Sequence, residues 1–357
     1  MMHQAQMERR FYTFIQNDVK VIDVAAELSY DLKNYLIRRL NFLPKEEREG
    51  DAAMVTPAYG SGAIPSVWQP ENLQELQTLR SRLKETCCFT AGGTLLRTQW
   101  EGGLVPAPEH MISLARIPEM SGISTRGDEI VIGAMTRLKE CASDALLHQL
   151  PILQEAVNAI AAPSIRNVAT IGGNIVSGVG DTLPALLVYD AELYWLTDNG
   201  IEIRKVSSWL RGGWDGSRNP GDVLISIHIP MRPSSMFDVA GEHRPAAREV
   251  SFYRKLGRRE TFSASLVTVA LYGEIDMDNR WTKIAIAAGG GSGMAMRLLE
   301  SEQQLLGSEA SVMQAATLAT AVADEFTTYG DAFATEHYRK QTAGNMLGAG
   351  LWQVLHK

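Results

Sequence analysis

Cysteine is scarce in this chain. Its 357 residues include three, Cys87, Cys88 and Cys141, an odd number that suits reduced thiols better than a disulfide framework. Three thiolates also cannot hold an iron–sulfur cluster that needs four. There is no CxxC pair and no HExxH, and the seven histidines are scattered rather than clustered as a metal site requires. An excess of positive charge is missing too. The 34 Lys and Arg stand against 41 Asp and Glu, leaving a net −7, the wrong sign for a surface that neutralises nucleic-acid phosphates. No apolar run is long enough to span a bilayer. Met1–Arg10 is polar and carries no apolar signal core, so the expected location is the cytoplasm.

What the chain does have is the make-up of a globular protein, 45% hydrophobic and 21% charged, with length enough for two or three domains. FYTFIQNDVKVIDV, residues 11–24, reads as a hairpin about Asn17-Asp18. SYDLKNYLIRRLNFL reads as an amphipathic helix with Ser29 as cap and Leu32, Tyr35, Leu36 and Leu40 on one face. The Gly-, Pro- and Ser-rich stretch 56–66 is a linker signature, and the polar stretch 231–249 a second one. The expected division is an N-terminal extension over 1–60, a second unit over 64–240 and a third over 250–357.

In the second unit ENLQELQTLRSRLKE predicts a helix. CFTAGGTLL predicts a strand ending in a glycine turn, and HMISLARI, EIVIGAMT and DVLISIHIP predict further strands. ALLHQLPILQEAVNAIA is helical, with Pro151 starting or kinking a segment. In the third unit SFYRKLG, SLVTVALYGEID and WTKIAIAAGG are strands, followed by helices in MRLLESEQQLLG, ASVMQAATLATAVADEF and TEHYRKQTAGNMLGAGLWQVL. Strands followed by helices imply an α+β fold with a sheet covered on one face.

Two glycine motifs carry the candidate chemistry: Ala91-Gly92-Gly93-Thr94 after an apolar strand, and Thr170-Ile171-Gly172-Gly173-Asn174 with Gly180-Asp181-Thr182 beyond it. Consecutive glycines let backbone N–H groups converge and let a ligand approach with no Cβ in the way, and such a nest binds anions, phosphate above all. Two nests in one domain would suit the pyrophosphate of a dinucleotide. The alternative at each motif is a plain tight turn. Neither is a GxGxxG opening a helix, and GGGSG at 289–293 reads as a turn between elements.

FTAGGTLL, SIRNVATIGGNI, GDTLPALLVYDAEL, YRKLGRRE and EHYRKQTAGNML, in this order, resemble the flavoprotein subunit of the molybdenum hydroxylases, the family of xanthine dehydrogenase and CO dehydrogenase. The resemblance covers residues 64–357. It implies an FAD-binding fold of the p-cresol methylhydroxylase type, then a CO-dehydrogenase-flavoprotein-like C-terminal α+β domain. It also implies that Ala91, Gly92, Gly93, Thr94 and Leu95 hold the FAD pyrophosphate, that Thr170, Gly173 and Asn174 complete the phosphate and ribityl site, and that Asp181 helps hold the cofactor. By the same resemblance Leu224 packs near the flavin ring, and Lys255 lies near its pyrimidine edge, where a cation would stabilise negative charge on reduced flavin. The chain departs from the family pattern at Leu95, where an acid is common, in the short segment between Asn174 and Asp181, and at Ser263. Residues 1–60 are similar to the opening of the family's [2Fe-2S] domain without its cysteines, or are an unrelated extension.

The function so implied is electron transfer. Electrons would come from a molybdenum-cofactor subunit through a [2Fe-2S] subunit to FAD, then to NAD or another acceptor, with no acid, base or nucleophile supplied by this chain. Two alternatives stay open: a stand-alone flavin oxidoreductase on the same fold, and an assembly subunit that has lost FAD.

Overall fold

A computed structural model of the protein describes residues 65–101, 105, 108–231, 248–258, 264–291 and 293–356. The hairpin, helix and linker expected before residue 65, most of the stretch 231–249, and Arg259 and Ser263 lie outside the described residues. Residues 59–357 belong to one compact unit.

The unit opens with β1 (Ser66–Trp68), α1 (Leu73–Leu83), β2 (Cys87–Thr90), α2 (Thr94–Glu101) and β3 (His110–Ser113). Asn72 starts α1, its side chain accepting the Glu75 N–H at 2.9 Å while Glu75 reaches back to the Glu71 N–H. The three strands form a parallel sheet in the order β1-β3-β2, so the glycine turn after β2 stands at the carboxyl end of a parallel strand. Then follow β4 (Ile123–Arg126), β5 (Glu129–Gly133), α3 (Leu138–Ser143), α4 (Pro151–Asn158), α5 (Pro163–Arg166), α6 (Ile171–Val176) and α7 (Leu183–Val188). Pro151 begins a helix, at the position where its missing N–H has no partner to lose. Next come β6 (Glu192–Thr197), β7 (Gly200–Lys205), α8 (Val206–Asp215) and β8 (Val223–Pro230). Strands β4 to β8 make an antiparallel sheet in the order β4-β5-β8-β6-β7.

The last part holds β9 (Arg248–Gly257), β10 (Ser265–Ile275), β11 (Trp281–Gly289) and β12 (Met296–Arg297), then α9 (Leu299–Leu305), α10 (Gln314–Glu325) and α11 (Glu336–Leu355). The strands form an antiparallel sheet in the order β12-β11-β10-β9.

One expectation is corrected here, because this last sheet is covered on both faces. Along β10, Val267, Val269 and Leu271 join the core made with α9, α10 and α11. The alternate residues Ala270 and Tyr272 join the other core, with Leu186, Leu187 and Ile152. Every residue of α7 is buried, as expected of a helix held between two apolar layers. The near-continuous burial of β10 has the same cause: a strand covered on both faces has no solvent side on which to place polar residues. Among the described residues, no helix is long and apolar enough to cross a membrane.

Candidate functional site

The first glycine motif behaves as its sequence suggests. β2 ends at Thr90 and α2 begins at Thr94. Gly93 between them has φ +66°, a conformation that glycine adopts without the Cβ penalty of other residues. A Cβ at Gly93 would meet nothing within 4 Å, so the turn faces open space. The opening N–H groups of a helix have no acceptor inside it; in α2 the Arg97 N–H pairs back to Gly93 O at 2.9 Å. Open donors at a helix start beside an unobstructed glycine make an anion cradle. Gly92 has a different task. A Cβ there would collide with Val168 O and come within 2.9 Å of Ala169 Cα, so this turn lies directly against the chain that enters the second motif.

The second motif is not a matching nest. Thr170 caps α6, its Oγ1 accepting the Gly173 N–H at 3.1 Å. Ile171 donates to Thr136 O at 3.0 Å and Gly172 to Ala134 O at 2.9 Å. A threonine at the cap makes this helix start satisfy its own donors, which corrects the expectation of two open nests. What the motif offers outward is side-chain chemistry. Asn174 Oδ1 accepts both the Thr182 N–H at 3.2 Å and the Thr182 hydroxyl at 2.7 Å. The Asn174 amide NH₂ meets no acceptor among the described residues.

Asp181 and Lys255 come together, 74 positions apart in sequence. Lys255 Nζ donates to Asp181 Oδ2 at 2.7 Å and to Ala159 O at 2.9 Å. Both side chains are largely buried, 12% and 11% exposed. Tyr253, on the same face of β9 two residues earlier, donates its hydroxyl to Asp181 O at 3.0 Å, and its N–H reaches Glu155 Oε2 at 3.0 Å. Burial, and then the charge of Asp181, hold the Tyr253 phenol well above its usual pKa, so it remains a donor. Sequence reasoning singled out Asp181 and Lys255 separately, named Thr182 in the motif without a role, and missed Tyr253 and Glu155.

Leu224 lies in β8, in register with Trp195, and is 3% exposed. Some of the exposed apolar side chains lie along the motifs in sequence, Leu95 at 45%, then Ile165, Val168, Val176 and Val179, while others, such as Ile203 and Met313, lie elsewhere. Among the described residues no group of three or more His, Cys, Asp or Glu could hold a metal ion.

Comparison with known proteins decides the family. Residues 61–232 match the FAD binding domain in molybdopterin dehydrogenase, and residues 251–354 match the CO dehydrogenase flavoprotein C-terminal domain. The chain is 32% identical over 212 residues to the carbon monoxide dehydrogenase medium chain of Afipia carboxidovorans, a stretch covering 57% of this chain and 73% of that one. This chain belongs to the FAD-binding subunits of the molybdenum hydroxylases. It is also 27% identical over 198 residues to the xanthine dehydrogenase FAD-binding subunit of Escherichia coli O157:H7, covering 54% of this chain and 63% of that one. The fold agrees with a solved carbon monoxide dehydrogenase from Hydrogenophaga pseudoflava, with a TM-score of 0.72, 26% identity, and coverage of 81% of this chain and 96% of that one. The architecture is therefore the family's α+β arrangement, an FAD-binding domain followed by the flavoprotein C-terminal domain, and the cofactor of this family is FAD.

The residues present fit such a group. A flavin dinucleotide needs anion donors with backbone access, and the turn at Gly93 supplies both. It needs polar partners for its linking chain, and Asn174 keeps a free amide. It also needs apolar surface for two ring systems, and Leu95, Val168, Val176 and Val179 leave such surface exposed.

Proposed function

We propose that this chain is the flavin-carrying link of a multi-subunit molybdenum hydroxylase. The turn Ala91, Gly92, Gly93, Thr94 and Leu95 holds the pyrophosphate of FAD through backbone N–H groups at the start of α2. Thr170 and Gly173 set the geometry of the second motif, and Asn174 donates to the linking chain. Asp181 and Lys255 act as one paired unit beside it. Because Lys255 is matched by Asp181, it brings less net positive charge to the flavin than an unpaired lysine would. Bound FAD supplies the exchange between single-electron carriers and a two-electron acceptor.

The open cradle at Gly93 is the observation that carries this reading, and kinship with dehydrogenase medium chains supports its wider setting. In that setting a molybdenum-cofactor subunit oxidises the substrate, a [2Fe-2S] subunit passes the electrons, and NAD or another acceptor receives them. The three free cysteines suit the reducing conditions of the cytoplasm. The test is a visible absorbance spectrum of the purified full chain, followed by chromatography of the flavin released on denaturation. Flavin bands and about one FAD per chain are expected. A colourless protein that takes up no added FAD overturns the reading and leaves an assembly subunit in its place.

A further inference from the structure

We infer that Thr182 is a positioning residue for the cofactor, fixing Asn174 as a hydrogen-bond donor. The inference rests on the proposed FAD site and adds a residue to it.

A carboxamide can face a neighbour with either its oxygen or its NH₂, and at Asn174 the neighbour decides. A backbone N–H can only donate, so the Thr182 N–H at 3.2 Å requires the amide oxygen on its side. The Thr182 hydroxyl then donates to the same oxygen at 2.7 Å. With two bonds on Oδ1, the NH₂ group is turned away as a donor of fixed direction. Gly180 makes the arrangement possible, since a Cβ there would collide with Asn174 O and Oδ1. The turn 180–182 therefore closes directly onto the asparagine.

Thr182 is itself held. It sits at the N-cap of α7, where its carbonyl accepts the Leu186 N–H at 3.0 Å, and it is fully buried. Its neighbour Asp181 is gripped by Lys255 and Tyr253. An amide oriented in this way favours an oxygen-rich ligand, phosphate or ribityl hydroxyl, over one that offers only donors. The backbone N–H of Thr182 sets which end of the amide faces it, and the hydroxyl strengthens that orientation and so the donor presented to the ligand.

Thr182→Val keeps the shape and the backbone N–H but removes the hydroxyl. Thr182→Ser keeps the hydroxyl, and Asn174→Asp keeps an oxygen for Thr182 while replacing the outward donor with an acceptor. The assay is titration of apoprotein with FAD, followed by flavin fluorescence, alongside the melting temperature of each apoprotein. For Thr182→Val the FAD dissociation constant should rise about five- to tenfold, as for loss of one orienting hydrogen bond. Thr182→Ser should restore it to within about twofold, and Asn174→Asp should lose at least about tenfold through its added charge. Wild-type affinity in Thr182→Val, or in Asn174→Asp, overturns the inference. So does a loss that Thr182→Ser fails to restore while its melting temperature is that of the wild type. Failure of the wild-type apoprotein to bind FAD is a separate outcome, and it overturns the proposed site itself.

Discussion

Gly92 and Gly93 are adjacent and serve different ends, so replacing each with alanine separates packing from ligand access. At Gly92 the new Cβ would strike Val168 O and crowd Ala169 Cα. These are backbone atoms, which cannot rotate out of the way, so the turn or the entry to α6 must shift. Overpacking of this kind costs about 1–3 kcal/mol, and the rigid partners place Gly92→Ala toward the upper end. For a unit of this size that corresponds to a fall in Tm of roughly 3–5 °C. At Gly93 the Cβ meets nothing within 4 Å, and the only penalty in the apoprotein is holding alanine at φ +66°, about 1 kcal/mol. On the proposed reading, its methyl group would stand where the pyrophosphate approaches. Calorimetry of both apoproteins and titration with FAD should show opposite profiles. Gly92→Ala has the larger loss of Tm, and Gly93→Ala has the larger loss of affinity per degree of Tm lost, at least about tenfold by exclusion of the ligand. Wild-type Tm in Gly92→Ala together with wild-type affinity in Gly93→Ala would refute the reading of this turn.

Two further outcomes follow from buried charge. Lys255→Met leaves the Asp181 carboxylate largely buried without its cation, and should lower apoprotein stability by about 2 kcal/mol in urea denaturation; adding Asp181→Asn should recover part of that loss, and strictly additive losses would deny the pairing. Arg339 in α11 is fully buried and its guanidinium donates to Asp331 Oδ2 at 2.6 Å. Burial raises the Asp331 pKa, but the Phe333 and Ala334 N–H groups and Arg339 outweigh it and hold the carboxyl below its usual 3.8. With the folded pKa depressed, the stabilisation is present above pH 3.8 and is lost as pH falls below it through the folded value. The acid limb of the stability curve should therefore flatten in Asp331→Asn at a lower plateau, and an unchanged limb would remove Asp331 from it.

Local signals in the sequence carried further than long-range ones. Strands β9, β10 and β11, a break in the helical pattern at Pro151 and the turn at Gly92-Gly93 are all legible, because apolar runs, a proline and paired glycines act within a few residues of themselves. The kinship carried by SIRNVATIGGN and its companion motifs set the family, the cofactor and the order of domains. Two-sided coverage of the last sheet was not legible. Val269 and Ala270 are equally apolar, and only the arrival of α4 and α7 from another part of the chain gives the second face partners. The self-satisfied start of α6 was missed because a Thr-x-x-Gly cap and an open glycine nest look alike until the donors are traced. Pairing of Asp181 with Lys255 was beyond reach for a simpler reason: local pattern says nothing about which charges meet across 74 residues.

The placement of the Asp181-Thr182 pair explains why a strand of the C-terminal domain bears on the proposed FAD loop at all. The pair stands at the start of α7, a helix buried within the first core. On one side β9 presents Tyr253 and Lys255, two residues apart and therefore on one face of the strand, to Asp181 O and Asp181 Oδ2. On the other side Thr182 fixes Asn174. Lys255 also holds Ala159 O just beyond α4, and Glu155 within α4 accepts the Tyr253 N–H, so β9 is tied to two segments of the first core at once. The turn at Gly93 instead leans, through Gly92, on Val168 and Ala169. On the proposed reading, the phosphate cradle and its polar partner Asn174 therefore rest on different supports, the first on the chain entering α6 and the second, through Thr182 and Asp181, on β9.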